Sequence, residues 1–316
     1  MKLWERFRNM AYLFAYFTSG NGEEKEHIWF SVSRDGLHWE DLGGEEPALT
    51  SKLGTTGIRD PFMVYDVRLQ KYFIIATDLK IGRDGDWWKA QYEGSRSILV
   101  WESQDLIHWS KERLIEVGIE GAGCVWAPEA IFCKEENKWF VFWASMVQEP
   151  GDAEAKQRIY GSFTEDFVSF SSAFKYIEGE NHVIDTDIIW AEGWYYRFSK
   201  DETYKVITLE RCRHLIPQEG EVYEKVESEL LSQIEWVEGP ECYYLEDKKK
   251  WCLIVDQFGA GLGYMPLLAE NLATGEFVKL SQNEYDMGSR KKRHGGVIAI
   301  SDEAVERMIG HYGIAN

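Results

Sequence analysis

The feature that most limits how this chain can fold is an internal repeat. Ser33-Arg-Asp35-Gly-Leu-His-Trp39 returns at the same spacing as Ser103-Gln-Asp105-Leu-Ile-His-Trp109, and in relaxed form as Thr164-Glu-Asp166-Phe-Val-Ser-Phe170. Each copy follows an alternating apolar segment (28–32, 98–101 and 159–163). Each therefore predicts a strand running into a polar turn, with an aromatic folded back over the sheet. Two more sets of short strands lie between the copies. One is aromatic and β-branched (72–77, 139–144, 194–199, 251–256), and the other precedes it (60–65, 126–132, 184–190, 238–245, 293–300). A fourth strand per cycle is less distinct. The landmarks Asp60, Pro128, Asp185, Glu238 and His294 follow one another at 68, 57, 53 and 56 residues. Self-similarity of this kind predicts four-stranded blades around an axis.

The chain opens on two segments, 11–18 and 28–32, that read as middle strands lacking a first strand. It closes on 293–300, a first strand lacking partners. The expected fold is therefore all-β, a five-bladed β-propeller whose N- and C-terminal strands share one blade, with a short helix over 302–310. No linker or low-complexity stretch interrupts the sequence, so residues 1–316 are read as one domain. A chain of this length buries most of its unfolded surface without staples.

Composition narrows the partners. Lys and Arg number 35 against 54 Asp and Glu, a formal net charge of −19. Such a field repels phosphate backbones and argues against nucleic acid, while neutral sugars are indifferent to it. Aromatics reach 15%, with 14 Trp; most suit sheet cores, and exposed ones suit flat apolar ligands such as sugar faces. The five cysteines, Cys124, Cys133, Cys212, Cys242 and Cys252, are odd in number and show no CxxC spacing. Reduced thiols and a cytoplasmic address are expected. Secretion is the alternative, because Lys2, Arg6 and Arg8 precede an apolar run over 10–17 that imitates a short signal peptide without its small-residue cleavage site. No stretch of 18 apolar residues exists, so no membrane partner is expected. Nothing in the sequence specifies an oligomeric state.

In a propeller the first strand of each blade lines the axis. The five here begin with Arg59-Asp60-Pro61-Phe62, Trp126-Ala-Pro-Glu129, Ile184-Asp185-Thr-Asp187, Val237-Glu238-Gly-Pro240 and Arg293-His294-Gly-Gly296. Carboxylates recur where an axial strand should be apolar. Buried carboxylates are costly unless they are paired or working, and several converging on one axis point to a functional site. Each alone has a plain structural explanation. Asp-Pro starts turns, Glu238 beside Gly-Pro suits a solvated turn, Asp185 suits a turn cap, and His294 suits a satisfied core position. The functional reading rests on their matched places in a repeat.

This pattern resembles glycoside hydrolase family 43, over residues 11–300. The resemblance lies in Asp-Pro at the first blade, Trp-Ala-Pro-Glu at the second, Ile-Asp at the third, Glu-Gly-Pro at the fourth and a His at the fifth. Thr186 departs from the family's usual Pro after the third-blade Asp. The resemblance implies an inverting glycosidase in which Asp60 is the general base, Glu238 the general acid, and Asp185 tunes that acid and orients the sugar. Inversion needs the two carboxyls roughly 6.5–9.5 Å apart, to hold a water, and an acid that stays protonated. It implies no required cofactor, but a possible structural calcium at the axis near His294. Phe62, Trp126, Glu129, Arg197 and Arg293 form the expected sugar-binding set, with Trp87-Trp88 extending it from a Gly-rich loop. Exo action on pentose-containing plant polysaccharides is expected, on α-L-arabinofuranoside first and β-xyloside second. Two alternatives stand beside it. One is a carbohydrate-binding propeller without turnover. The other is a fructan-cleaving enzyme, which Arg59-Asp60-Pro61 and Glu241-Cys242 also resemble, although the Asn-Asp-Pro nucleophile of those families is missing.

Overall fold

The computed structural model describes residues 10–20, 22, 25–82 and 85–315; Lys2, Arg6 and Arg8 lie outside them. The N-terminal strands are β1 (Met10–Phe17), β2 (Ile28–Ser33) and β3 (Glu40–Asp41). Blade I holds β4 (Ile58–Asp66), β5 (Lys71–Asp78), β6 (Ser97–Ser103) and β7 (Arg113–Glu116). Blade II holds β8 (Trp126–Cys133), β9 (Lys138–Val147), β10 (Lys156–Thr164) and β11 (Phe174–Ile177). Blade III holds β12 (Val183–Ala191), β13 (Trp194–Asp201), β14 (Val206–Cys212) and β15 (Glu224–Lys225). Blade IV holds β16 (Glu238–Leu245), β17 (Lys250–Asp256), β18 (Tyr264–Ala269) and β19 (Val278–Lys279). The last strand, β20 (Arg293–Ser301), pairs antiparallel with β1, so blade V has the order β20-β1-β2-β3. The innermost strands β4, β8, β12, β16 and β20 neighbour one another in cyclic order. The expected five-bladed propeller, closed by both chain ends in one blade, is the observed fold.

Strand alternation explains the apolar runs. Successive side chains of a strand face opposite sides, and each side of a blade meets a different neighbour. Thus Ala11, Leu13 and Ala15 of β1 pack toward blade I with Ile74, Leu99 and Trp101. Tyr12, Phe14 and Tyr16 of the same strand pack toward blade IV with Tyr243 and Ile254. Three further clusters fill the other blade interfaces. Strands covered on both faces are hydrophobic almost throughout, which is why these read as near-continuous apolar segments.

The Ser-x-Asp-x-x-x-Trp motif is the turn from a blade's third strand to its fourth. In each copy the Asp carboxylate accepts from the backbone amides two and three residues on: Leu37 and His38 on Asp35, Ile107 and His108 on Asp105, Val168 and Ser169 on Asp166. Blades III and IV make this turn with other residues, so their fourth strands were the least visible in the sequence. The terminal helix (Asp302–Tyr312) is capped by Ser301, whose hydroxyl accepts from the Ala304 amide. It packs Ala304, Val305 and Met308 onto the interface of blades V and I.

Candidate active site

All five innermost strands carry the same defect near their start. Register shifts fall between Arg59 and Phe62, Trp126 and Glu129, Ile184 and Thr186, Glu238 and Glu241, and around His294 opposite Tyr16 and Phe17. A bulge adds one residue to a strand and re-aims its side chain. Four of the extra residues take left-handed backbone: Asp60 (φ 49°), Ala127 (φ 46°), Asp185 (φ 46°) and Gly239 (φ 52°). Asp tolerates this region better than most residues. Gly239 also has to be bare, because a Cβ there would sit 2.7 Å from the His294 ring.

The bulges open a cavity of about 650 Å³ at one mouth of the axis. Asp60, Trp126, Asp185, Glu238, Arg293 and His294 all line it. Consecutive residues of β20 divide the acids between them. Arg293 places Nη2 2.5 Å from Glu238 Oε1 and Nε 2.5 Å from Asp256 Oδ2, while the His294 ring lies 3.6 Å from Asp60 Oδ1 and 3.8 Å from Asp185 Oδ2. Asp60 Oδ2 accepts from the Thr77 hydroxyl at 2.8 Å, and Thr77 in turn accepts from the Ala127 amide of blade II. Asp185 accepts from the Gly239 amide of blade IV at 3.1 Å.

Several expected sugar contacts lie elsewhere. Arg197 points between blades II and III, 2.6 Å from Glu210 and over the Tyr223 ring. The cavity cation on that strand is Lys200, three residues on and therefore on the opposite face. Phe62 and Glu129 do not line the cavity. They sit one layer deeper, where Phe62 packs beside Gly296 and Glu129 joins Asp187 and Glu241, with one oxygen from each carboxylate within 4.8 Å of the others. Trp87 and Trp88 are not in a loop; they open a short helix, α1 (Trp87–Tyr92), capped by Asp86. Trp87 meets Trp126 edge-on at 6.1 Å and covers Arg59.

The electrostatics depart from expectation at Glu238. Burial pushes its carboxyl up, but Lys200 (Nζ 3.0 Å from Oε2) and Arg293 outweigh burial and hold it down at about 2. Asp185 goes the other way: burial, partly offset by His294 and Lys200, lifts it to about 6. Asp256, also buried, reaches about 6 despite Arg293. In the deeper layer burial lifts Asp187 to about 7 and drives Glu129 and Glu241 well above the usual carboxylate range. Asp187 and Glu241 each accept an amide of the next blade, Cys242 and Val297. Outside this trio of carboxyls, neither oxygen of Glu129 has a hydrogen-bond partner among the described residues. Sequence reasoning missed Lys200 and Asp256; each sits on a second strand opposite a bulge, a place no local motif marks.

The fold and the site together define a five-bladed β-propeller with carboxylates on its axial bulges and cations interleaved among them. The family described as a probable glycosyl hydrolase domain, glycosyl hydrolase 43-related, matches residues 8–306, and the chain belongs to it. An α-L-arabinofuranosidase of Bifidobacterium longum subsp. longum is 30% identical over 225 residues, 63% of this chain and 21% of that protein. The chain thus spans about a fifth of the length of that curated relative. Among solved structures, a family 43 β-1,3-galactosidase is similar with a TM-score of 0.58 at 10% identity, covering 91% of this chain and 92% of that one. The catalytic domain of a Coprinopsis cinerea family 62 α-L-arabinofuranosidase is similar with a TM-score of 0.55 at 13% identity, covering 79% and 76%. At such identities the likeness is one of fold. Among the described residues no helix is long and apolar enough to cross a membrane.

Proposed function

We propose that this protein is an inverting glycoside hydrolase acting on pentose-containing plant polysaccharides or their fragments. An α-L-arabinofuranoside is the first substrate and a β-xyloside the second, removed by exo action. One observation carries the reading: Asp60, Asp185 and Glu238 stand at the bulges of three blades around one cavity. The name of the Bifidobacterium relative favours the pentose. Asp60 serves as general base, Glu238 as general acid, and Asp185 tunes the acid. All five cysteines are buried and free, which favours a reducing, cytoplasmic setting over a secreted one. The deciding experiment is hydrolysis of nitrophenyl α-L-arabinofuranoside, β-D-xyloside, β-D-galactoside and β-D-fructofuranoside. Cleavage of a pentoside is expected; cleavage of none removes the exo-glycosidase reading.

The clamp on Glu238 bears on its role. A carboxylate held by two cations gives up no proton, so substrate must loosen at least one pair before Glu238 can act as an acid. This clamp is also the observation that favours a binding propeller without turnover. Lys200→Met removes one cation and lets the Glu238 pKa rise. In the substrate complex the acid then stays protonated to higher pH, and the alkaline limb of kcat on an arabino-oligosaccharide, whose poor leaving group needs the acid, is expected to move up by about 1–3 pH units. A limb that stays in place removes Glu238 from the acid role.

An axial cation belongs to the same proposal. Glu129, Asp187 and Glu241 offer the all-oxygen donor set that calcium takes, with His294 above them, its Nε2 3.8 Å from Glu129. These three carboxylates would hold the ion, whose charge would neutralise groups that burial otherwise keeps protonated. After treatment with a chelator, adding millimolar calcium is expected to raise the melting temperature. No change would leave shared protons, not a metal, as what balances this cluster.

A further inference from the structure

The structure assigns Trp236 as a stacking platform for the leaving-group side of the carbohydrate, an inference that rests on the glycosidase reading and extends it to a sugar outside the cavity. Trp236 lies two residues before Glu238 and is 54% exposed. Its ring stands 6.0 Å from that of Phe258. Phe258 lines the cavity and covers the Lys200 ammonium at 4.4 Å. Aromatic surface therefore runs without a break from the Lys200–Glu238 pair out to the rim. A general acid protonates the oxygen of the departing group, so a surface continuous with Glu238 meets the sugar that leaves.

The backbone shows that Trp236 is placed there against its own preference. It has φ 61°, the left-handed region in which a bulky residue is an outlier. Such strain persists where the surroundings impose it. The surroundings here are specific: the Gly259 amide donates to the Trp236 carbonyl at 3.2 Å, and a Cβ on Gly259 would fall 2.5 Å from that of Trp236. Packing does not repay the strain, since more than half of the residue faces solvent. What the exposed indole offers is a flat face that suits the C–H face of a sugar ring, and no charge is needed.

The test is affinity electrophoresis of the full chain, in an Asp60→Asn background that spares the polysaccharide, through gels containing soluble arabinan, arabinoxylan or xylan. Retardation by at least one polymer is expected. Trp236→Ala and Trp236→Gly should each weaken it about tenfold. Trp190→Ala, at an exposed tryptophan outside the cavity lining, should leave it unchanged. Trp236→Gly carries a second readout. Glycine takes positive φ freely, so its melting temperature should equal or exceed that of the parent while binding falls. Equal retardation of the Trp236 variants and the parent overturns the assignment, as does a parent that no polymer retards. The glycosidase reading is judged separately, by the nitrophenyl panel on the wild-type chain.

Discussion

Asp60→Ala is expected to lower kcat/KM on the responsive nitrophenyl pentoside by about 10²–10⁴, the range that loss of a positioned general base produces. Nitrophenolate departs readily, so this substrate hides loss of the acid but not of the base. The fold should tolerate the change. Asp60 sits at φ 49°, and blade II already carries alanine at φ 46° at the matched bulge, Ala127. The link between blades also survives in part, because the Thr77 hydroxyl still accepts from the Ala127 amide when its contact with Asp60 is gone. A fall of less than tenfold, with an unchanged melting temperature, would take the base role away from Asp60.

Asp41→Ala is expected to destabilise the protein by about 3–5 kcal/mol, the usual consequence of leaving a buried charge unpaired, and to lower the melting temperature by on the order of 10 °C. Asp41 lies on β3, the outermost strand of blade V, and is almost fully buried. It accepts from Tyr16 at 2.9 Å, Ser31 at 2.5 Å, Ser289 at 3.0 Å, the Arg290 amide at 2.7 Å and Lys292 Nζ at 2.6 Å. One carboxylate thus ties the N-terminal strands to the segment that enters β20, and so helps fasten the closing blade. Burial pushes the Asp41 carboxyl up, but Lys292 and the other donors outweigh it and hold it at about 2. Its folded pKa lies below the unfolded value of about 3.9. The stability it contributes is therefore present above that value and lost as pH falls toward 2. Burial pulls Lys292 down to about 8 against the attraction of Asp41. The double variant Asp41→Ala/Lys292→Met should recover much of the loss, since it leaves no orphaned ammonium. A single variant that melts within 2 °C of wild type would show that this clasp does not limit stability.

Much of the architecture was legible because it is written in local terms. Asp35, Asp105 and Asp166 make their turns with the next few amides, and that chemistry repeats at a spacing the eye can find. The incomplete first and last cycles then required closure, and β20 does pair with β1. The acids of the mouth were legible too, since Asp60, Asp185 and Glu238 interrupt strands that should be apolar. The helix α1 was not: it is six residues long, and the residues before it read as a glycine-rich loop.

Side-chain direction was decided only in three dimensions. A strand alternates faces every residue, so one inserted residue exchanges inside for outside. The axial bulges do this in each blade. They bring Asp60 and Asp185 to the mouth and leave Phe62 and Glu129 a layer below it. On β13 the odd spacing between Arg197 and Lys200 sends the first between blades and the second to Glu238. The protonation of Glu238 is set the same way, by Lys200 of blade III and Arg293 of blade V, charges 38 and 55 residues away along the chain that meet it only when neighbouring blades pack. The order of strands and the kinds of residue at the axis are properties of the sequence. Which of those residues share a cavity, and which charges they feel there, are properties of the closed ring.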